Sequence, residues 1–568
     1  MKRVNWKLAS LAQLFVLISA CSYGVNQVTD DGGGEALLFE ETRTDRHTLD
    51  MLASRLGVYP SLSTLLTAPS SQTVWLVNIK PALLGANNSE LAVKMPEQGI
   101  VRFNLRRSSD VAGMHGWIGD VSSDRRQRYT SSDEVDFDPF SWISLVRDDD
   151  QVVGNIHVAG QRYRLEPTGA GQHVLIKVDE TKMPPDGNFI APSGSPQVEG
   201  AKKSAQSPHS TIRVMFVTTN ERRSRSPHYR TELVQALQDA NQYLINSRVP
   251  LTYELAGFFD ADYSEDSKNQ WVMLKEMANP DTALGAQVAT WRTSSGADLV
   301  SLYNVETSIC GNAYGWSRKE TGFNTISCTV SLAHELGHNL GAGHGLEGTD
   351  PTQSYNHGYR HYSPNFHTRQ VTSHGAIPYF SNPRLTYENV ALGTVQNHDV
   401  ARQFDEYRET VENFYPPMPP YLINHGHQES GKTTCLTTVE QRALVARACP
   451  ESAEPNPEFI WKRIYINDNF TLSLNSSNKC VGLFDMRGDL MLTQCTDPKQ
   501  APWLVWTPFF QLDGSFMLGW GKPDNGFCLA VEAAGDRVEL TYCDASNPLQ
   551  RWRWSEPQAP GQQASPLL

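Results

Sequence analysis

The chain has 568 residues, of which 39% are hydrophobic and 20% charged, and its formal net charge at pH 7 is -13. This length is too great for one hydrophobic core and predicts roughly three or four folded units. The composition is ordinary for a soluble globular protein. The acidic balance, without a long run of Lys or Arg, argues against nucleic acid as the main partner.

The first 21 residues have the features of an export signal. Basic residues within the first seven positions are followed by an apolar run that is too short to cross a bilayer as a helix. The ending Ile18-Ser19-Ala20-Cys21 resembles a bacterial lipoprotein cleavage box. That resemblance implies a lipid anchor at Cys21 and, with Ser22 next, sorting to the outer membrane. A plain signal peptide that ends near a cysteine is the alternative, and we expect membrane attachment only through the anchor.

Residues 22–204 are predicted to form a β-rich unit followed by a linker. Apolar and polar residues alternate at 151–158 and 173–178, as in strands. From Met183 to about Ser210 the chain is rich in Pro, Gly, Ser and Lys, which is typical of a linker.

Residues 205–418 alternate between strand and helix patterns, which indicates a mixed α/β unit. Strands are predicted at 212–217, 251–258 and 298–303, and helices at 228–246 and, with a break near Pro280, at 270–291. The proline-rich segment 415–420 is predicted to be a stiff spacer that ends this unit.

Residues 419–558 contain an internal repeat. Cysteines recur there in pairs of nearly equal internal spacing, at Cys435 and Cys449, Cys480 and Cys495, and Cys528 and Cys543. In an exported chain, such pairs predict local disulfides, and three copies of a small β unit predict a threefold all-β domain. A further disulfide is expected between Cys310 and Cys328.

The segment 334–344, HELGHNLGAGH, carries the clearest chemistry. Residues four apart share a helix face, so His334 and His338 can bind one ion. Gly341 allows a turn that brings His344 round as the third ligand. Three protein ligands leave a position open on zinc, which lowers the pKa of a bound water to about 7. Glu335 is the candidate general base that takes the proton of this water. The alternative is a histidine-rich helix with structural roles only.

These residues, with the stretches 296–300, 310–314 and 379–383, resemble the metzincin metalloproteases and their bacterial reprolysin-like branch. The resemblance implies an α+β catalytic domain that hydrolyses peptide bonds with Zn2+. It also implies that residues 22–204 include a propeptide. Because that region has no cysteine beyond Cys21, its latency must be steric or use another metal ligand. A permanent accessory domain is the alternative.

The sequence departs from the metzincin pattern at two positions. No methionine lies between His344 and Met418, and alignment places Thr372 where the family's methionine turn stands. This departure predicts altered stability or activity rather than loss of zinc. Gly345 replaces the aspartate that follows the third histidine in reprolysins, which weakens inference about specificity. Surface or packing roles are predicted for the remaining histidines of this region, His357, His361, His367 and His374.

The C-terminal repeat resembles a ricin B-type lectin domain with a β-trefoil fold. Its motif ends in Gln550 and Trp552, which the resemblance assigns to the core. The counterparts in the other repeats are shifted, with Trp461 in the first and Trp503 or Trp506 in the second. Thr437, Gly482 and Ala530 stand where the family commonly has a sugar-binding aspartate, so protein docking or a structural role remains open beside sugar binding.

Together these features predict an exported, multidomain zinc endopeptidase. Its parts are a lipoprotein-type signal peptide at 1–21, a β-rich propeptide-like region at 22–204, an α+β metzincin-like domain at 205–418 and an all-β trefoil at 419–558. We expect protein or glycoprotein substrates, a glycan ligand for the trefoil, and an outer-membrane or cell-surface location, with secretion as the alternative. The alternative function is an adhesin-like carbohydrate-binding protein with an inactive protease domain. The intact set of His334, Glu335, His338 and His344 argues against it.

Overall fold

A computed structural model of the protein describes residues 36–42, 45–85, 88–190, 205, 207–346, 354–415, 421–450, 456–477, 479–483, 490–496, 501–511, 515–520 and 526–555. The predicted signal segment with Cys21, residues 191–204 of the predicted linker and most of the proline-rich spacer lie outside the described residues. Within the described ranges, no helix is long and apolar enough to cross a membrane.

The N-terminal unit is a nine-stranded antiparallel sheet, as the β-rich pattern predicts. Its strands are β1 (Phe39–Thr42), β2 (Ser71–Ile79), β3 (Glu90–Met95), β4 (Gly99–Val111), β5 (Met114–Val121), β6 (Trp142–Asp148), β7 (Gln151–Val158), β8 (Gln161–Gly169) and β9 (Gln172–Val178). Its helices are α1 (Arg46–Ala53), α2 (Leu62–Thr67) and α3 (Arg125–Arg128). The strand order is β1-β2-β9-β8-β7-β6-β5-β4-β3, so most strands pair with their neighbours in the chain. Buried Phe103, Trp117 and Tyr163 belong to its core.

Residues 205–418, the predicted catalytic domain and below called the catalytic unit, are built on a mainly parallel sheet. Its strands are β10 (Ser210–Thr218), β11 (Leu251–Asp260), β12 (Leu299–Tyr303), β13 (Gly311–Ala313) and β14 (Phe323–Ile326), followed by the hairpins β15 (Arg360–Tyr362) with β16 (Asn365–His367) and β17 (Asn382–Tyr387) with β18 (Val390–Leu392). Its helices are α4 (Asn220–Arg225), α5 (Tyr229–Asn246), α6 (Gln270–Ala278), α7 (Ala283–Ser295), α8 (Leu332–Asn339) and α9 (Val400–Glu412). The spatial order is β11-β10-β12-β14-β13, with only β13 antiparallel to its neighbour. The break predicted near Pro280 is confirmed, because it separates α6 from α7.

Helix α5 is buried on both faces. Its apolar face packs into the core of the catalytic unit, as its periodicity predicts. Its polar face lies against the N-terminal sheet, where Gln238 donates to the hydroxyl of Ser144 at 2.9 Å. Asp239 accepts from the amide of Asn155 at 3.1 Å. These polar side chains of α5 can be buried because residues of the N-terminal sheet form hydrogen bonds with them.

The C-terminal unit repeats a four-stranded pattern three times. The first set is β19 (Leu422–Glu429), β20 (Lys432–Val439), β21 (Ala443–Ala448) and β22 (Trp461–Ile466); the second is β23 (Asn469–Leu474), β24 (Lys479–Leu483), β25 (Leu490–Gln494) and β26 (Val505–Phe510); the third is β27 (Phe516–Trp520), β28 (Phe527–Val531), β29 (Val538–Tyr542) and β30 (Trp552–Trp554). Each set carries one predicted disulfide, Cys435–Cys449, Cys480–Cys495 or Cys528–Cys543. The repeat predicted from the cysteine spacing is confirmed at the level of strands and disulfides.

One buried tryptophan closes each repeat. The indole N–H of Trp461 donates to the carbonyl of Leu436, that of Trp506 to Val481 and that of Trp552 to Leu529, each at 2.9 Å. Each accepting residue directly follows the first cysteine of its repeat. Trp506, rather than Trp503, is therefore the counterpart in the second repeat, and Trp503 is largely exposed.

The C-terminal unit continues the sheet of the catalytic unit. Strand β22 lies parallel to β11, with Gly257 opposite Tyr465. A Cβ on Gly257 would lie 2.5 Å from the carbonyl oxygen of Tyr465, so this close approach requires glycine. The side chain of Asn467 accepts the backbone N–H of Asp260 at 2.9 Å. Backbone pairing and a shared apolar core therefore hold these two units together.

Candidate metal centre

The short helix α8 carries the predicted site and is buried along its whole length. It packs on α5, on the edge strand β13 and on its neighbour β14. The predicted disulfide Cys310–Cys328 is formed and holds the start of β13 beside the turn that leads into the helix. The helix is therefore fixed by packing on several sides, which is what a metal-binding geometry needs.

The structure brings the three predicted histidines together. The Nε2 atoms of His334 and His338 are 3.0 Å apart, and His344 Nε2 is 3.1 Å from each of them. Among the residues described, these three form the cluster whose ligand atoms all converge within 4.8 Å. The turn that returns His344 to the helix is made at Gly341, which has φ +92° as its predicted role requires.

Two backbone carbonyls orient the histidine rings. His334 Nδ1 donates to the carbonyl of Arg369 at 2.8 Å, and His338 Nδ1 donates to the carbonyl of Ala342 at 2.7 Å. A hydrogen on Nδ1 leaves the Nε2 lone pair free to bind a cation. Burial lowers the pKa of His338 well below its usual value and that of His344 to about 4, with the neighbouring imidazoles acting in the same direction. The rings of His338 and His344 are therefore held neutral, the form that binds metals.

The spacing of the three nitrogens fits a tetrahedral ion. Nitrogens about 2.0–2.1 Å from zinc at tetrahedral angles lie roughly 3.3–3.4 Å apart. The observed separations of 3.0–3.1 Å are slightly shorter. Three lone pairs directed at one another at this distance repel unless a cation lies among them. The donor set of three neutral imidazoles is one that zinc prefers.

Glu335 is fully buried next to this cluster. Neither carboxylate oxygen has a hydrogen-bond partner among the described residues. Burial raises the pKa of Glu335 well above its usual value, and the negative charge of Asp186 raises it further. Gly311 makes room for the side chain, because a Cβ there would lie 2.7 Å from Glu335 Oε1. A buried carboxylate without a partner is costly, so its retention here indicates a role toward a molecule that enters the site.

The segment after the third histidine contacts both α8 and the N-terminal unit. Gln370 packs against α8, since a Cβ on Gly337 would lie 2.7 Å from Gln370 Oε1. Thr372 instead directs its hydroxyl to Asp186 at 2.7 Å. Of the histidines predicted to have packing roles, His357 donates from Nδ1 to the carbonyl of His344 at 2.8 Å and so supports the third candidate ligand.

Residues 183–190, which the composition assigns to a linker, lie in the cleft in front of the histidines. The Gly187 N–H donates to the carbonyl of Gly311 at 2.9 Å, and Ile190 N–H donates to Ala313 at 2.9 Å, so the segment pairs with β13. The ring of Phe189 lies 4.7 Å from that of His338. The sequence gives no signal for these contacts, because they join positions more than a hundred residues apart.

No protein-family model matches the chain. A protein of Stenotrophomonas maltophilia (strain R551-3) named peptidyl-Asp metalloendopeptidase is 31% identical over 382 residues, which cover 63% of this chain and 90% of the relative. A protein of the same name from Xanthomonas campestris pv. campestris is 31% identical over 377 residues, which cover 62% of this chain and 89% of the relative. Among solved structures, metalloproteinase-II from Bacteroides fragilis is similar with 12% identity and a TM-score of 0.31, and covers 57% of this chain and 92% of that one.

The similarity extends over nearly the whole length of the two relatives, and the histidine cluster is compatible with the metal that their name requires. The chain belongs to the peptidyl-Asp metalloendopeptidase family and is a metalloendopeptidase that uses a metal cofactor.

Proposed function

We propose that the chain is a zinc endopeptidase of the metzincin type, with His334, His338 and His344 as ligands and Glu335 as general base. The observation that carries the proposal is the convergence of three imidazole Nε2 atoms beside a buried carboxylate that has no protein partner among the described residues. A structural role for the histidines would leave both the lone pairs and the carboxylate uncompensated.

Each protein group of this site has a separate role in peptide hydrolysis. When bound, zinc supplies a Lewis acid that polarises a carbonyl and lowers the pKa of water to about 7. Glu335 takes the proton of the attacking water and delivers it to the nitrogen of the leaving amine. The carbonyls of Arg369 and Ala342 keep two imidazoles in the required tautomer. Burial of Glu335 excludes bulk water and keeps its oxygens available for the reacting molecule.

We also propose that the N-terminal unit is an inhibitory prosegment and that the enzyme prefers bonds at aspartyl residues, as the name of its relatives states for them. Residues 183–190 support the first point, because they pair with β13 and cover the histidines. A substrate must displace this segment to reach the site. The cut that releases it is expected between residues 191 and 204, where Lys202 and Lys203 offer basic cleavage positions.

We propose that the C-terminal unit is a lectin-like β-trefoil that holds the enzyme near glycoprotein substrates, on a protein exported and anchored at Cys21. Exposed aromatic rings support a binding role, namely Trp503, Phe510 and Tyr542. The positions expected to carry sugar-binding carboxylates do not provide them, since Thr437 is buried and bonded to the carbonyl of Glu458 at 2.7 Å. Glycan-array binding tests the lectin role, and loss of surface retention in Cys21→Ala tests the anchor.

The catalytic proposal is tested on the purified full chain after limited trypsin treatment. Zinc content and casein cleavage are measured for wild type and Glu335→Ala. We expect about one zinc in both proteins and cleavage only in wild type. Wild-type protein without zinc would refute the assignment of the three histidines as ligands. Cleavage by Glu335→Ala would refute the assignment of Glu335 as general base. Zinc binding and glycan binding without any cleavage would favour the adhesin-like alternative.

A further inference from the structure

The carboxylate of Asp186 is bound by a ring of neutral donors. Its Oδ1 accepts from the hydroxyls of Ser331 at 2.8 Å and Ser373 at 2.6 Å. Its Oδ2 accepts from the hydroxyl of Thr372 at 2.7 Å and from the backbone N–H of Ser373 at 2.7 Å. Each oxygen therefore has two donors, which is close to full satisfaction of a carboxylate.

This pocket adjoins the reacting centre. Ser331 directly precedes the helix that carries His334, and Thr372 and Ser373 follow the carbonyl of Arg369 that orients the same histidine. Asp186 is nevertheless outside the cluster of groups whose ligand atoms converge within 4.8 Å. Its carboxylate thus belongs to a separate subsite beside the metal centre rather than to the ligand set.

The segment that carries Asp186 crosses the cleft as an extended chain. Pro185 accepts the N–H of Cys310 at 2.7 Å, and Gly187 pairs with Gly311, so Asp186 is held between two backbone contacts to the edge of β13. Phe189 then covers His338. A peptide bound along this edge would place one side chain in the Ser331 pocket while its backbone passes Glu335, which adjoins Gly311.

We propose that Ser331, Thr372 and Ser373 form the pocket that recognises an aspartyl side chain of the substrate, and that Asp186 occupies this pocket in the unprocessed chain. This inference rests on the proposed peptidase function and adds the residues that determine its specificity.

The donors explain selectivity for aspartate. Hydrogen bonds to an ionised acceptor are roughly twice as strong as neutral ones. Asparagine would turn an NH2 group toward one pair of donors, alanine would leave the donors unpaired, and glutamate would carry its carboxylate about one C–C bond too far. The Ser373 N–H cannot reverse its direction, so one side of the pocket always requires an acceptor.

Binding tests the pocket without catalysis. The full chain is made as Glu335→Gln and as Glu335→Gln with Asp186→Ala, and fluorescence polarisation follows labelled peptides of sequence MPPDGNFI and MPPNGNFI. With Asp186 removed, we expect the aspartyl peptide to bind at least tenfold more tightly than its asparaginyl twin. With Asp186 present, the aspartyl peptide should bind at least tenfold more weakly. Asp179→Ala is the matched control and should alter neither result, because this carboxylate after β9 accepts from Thr181 rather than from the pocket residues.

Cleavage gives the second measurement. The ratio of kcat/KM for two peptides that differ only by Asp or Asn is compared between trypsin-treated wild type and Thr372→Val with Ser373→Ala. We expect a ratio above tenfold in wild type that falls to near one in the variant, with the asparaginyl peptide changed by only a few-fold. The pocket assignment would be overturned if the variant kept the wild-type ratio of kcat/KM, or if it lost cleavage of both peptides equally. Equal binding of the aspartyl and asparaginyl peptides would also overturn it. Selective binding with no cleavage of any peptide would instead overturn the proposed function and leave the pocket standing.

Discussion

The amide of Gln370 is buried beneath the catalytic helix without a hydrogen-bond partner among the described residues. It lies against Gly337, two residues before Thr372, the position that the resemblance to metzincins aligns with their methionine. Methionine is unbranched and similar in size but has no amide to satisfy. Gln370→Met should therefore raise the free energy of unfolding of the catalytic unit while keeping the packing against the helix.

The magnitude follows from the two unpaired amide atoms. A buried polar atom left without a partner costs about 1–3 kcal/mol, and relaxation around the site recovers part of that cost. We expect a gain of about 1–3 kcal/mol, which corresponds to roughly 2–12 °C in Tm at about 2–4 °C per kcal/mol for a unit of this size. Scanning calorimetry of the full chain, with zinc content measured on the same samples, reports the change.

Gln270 provides the matched control. It is equally buried in the same unit, but its amide donates to the carbonyl of Ile309 at 2.6 Å and accepts from the hydroxyl of Thr325 at 2.8 Å. Gln270→Met should lower the free energy of unfolding by about 2–4 kcal/mol, because it leaves those partners unpaired. If Gln370→Met lowers Tm as Gln270→Met does, the Gln370 amide is satisfied in solution and the reasoning is wrong.

Three further changes test other parts of the structure. Burial lowers the pKa of His173 from 6.5 to about 4. Its ring accepts the N–H of Val152 only when neutral, so stability present above pH 6.5 should fall by about 3 kcal/mol toward pH 4. His173→Gln should flatten this dependence in acid unfolding curves. Gly257→Ala forces a Cβ against Tyr465 and should separate unfolding of the C-terminal unit from that of the catalytic unit in calorimetry. Trp506→Phe removes a buried N–H donor and should cost the C-terminal unit about 1–3 kcal/mol in denaturant unfolding.

Controls for these changes are present in the chain. Gly57→Ala should be nearly neutral, because a Cβ there meets nothing within 4 Å. Trp461→Phe and Trp552→Phe should cost about as much as Trp506→Phe, and a neutral Trp506→Phe would contradict the assignment of Trp506 to the repeat. An acid unfolding curve unchanged by His173→Gln, or a single unchanged transition in Gly257→Ala, would contradict the other two expectations.

Local sequence pattern predicted the elements that depend on local spacing. The four-residue spacing of His334 and His338 and the glycine at 341 place three ring nitrogens together, because helix geometry and one turn determine their positions. The cysteine pairs predicted their disulfides for the same reason. In the second repeat, the spacing could not decide whether Trp503 or Trp506 is the core tryptophan. The strand register decides it, because it directs the Trp506 N–H to the carbonyl of Val481.

The pocket for Asp186 could not be predicted in this way. Its donors lie 145 to 187 positions further along the chain. Serine and threonine are common surface residues, so neither their identity nor their spacing marks them as ligands. The aspartate itself lies in a stretch whose composition is typical of a linker. Only tertiary structure, which lays this stretch along β13, brings the acceptor and its donors together.

The two flanking units differ in how they are attached, and this difference bears on which one can leave. The C-terminal unit shares backbone pairing and an apolar core with the catalytic sheet, so its removal would expose apolar side chains. The N-terminal unit covers the polar face of α5, where water can replace the partners of Gln238 and Asp239. It also shares an apolar core with the catalytic unit, in which Met114, Phe137 and Trp142 are buried together with residues such as Tyr243. Both interfaces therefore contain apolar contacts, and the feature that distinguishes the N-terminal unit is the segment 183–190, which covers the candidate metal centre. That contact supports a prosegment over a permanent accessory domain.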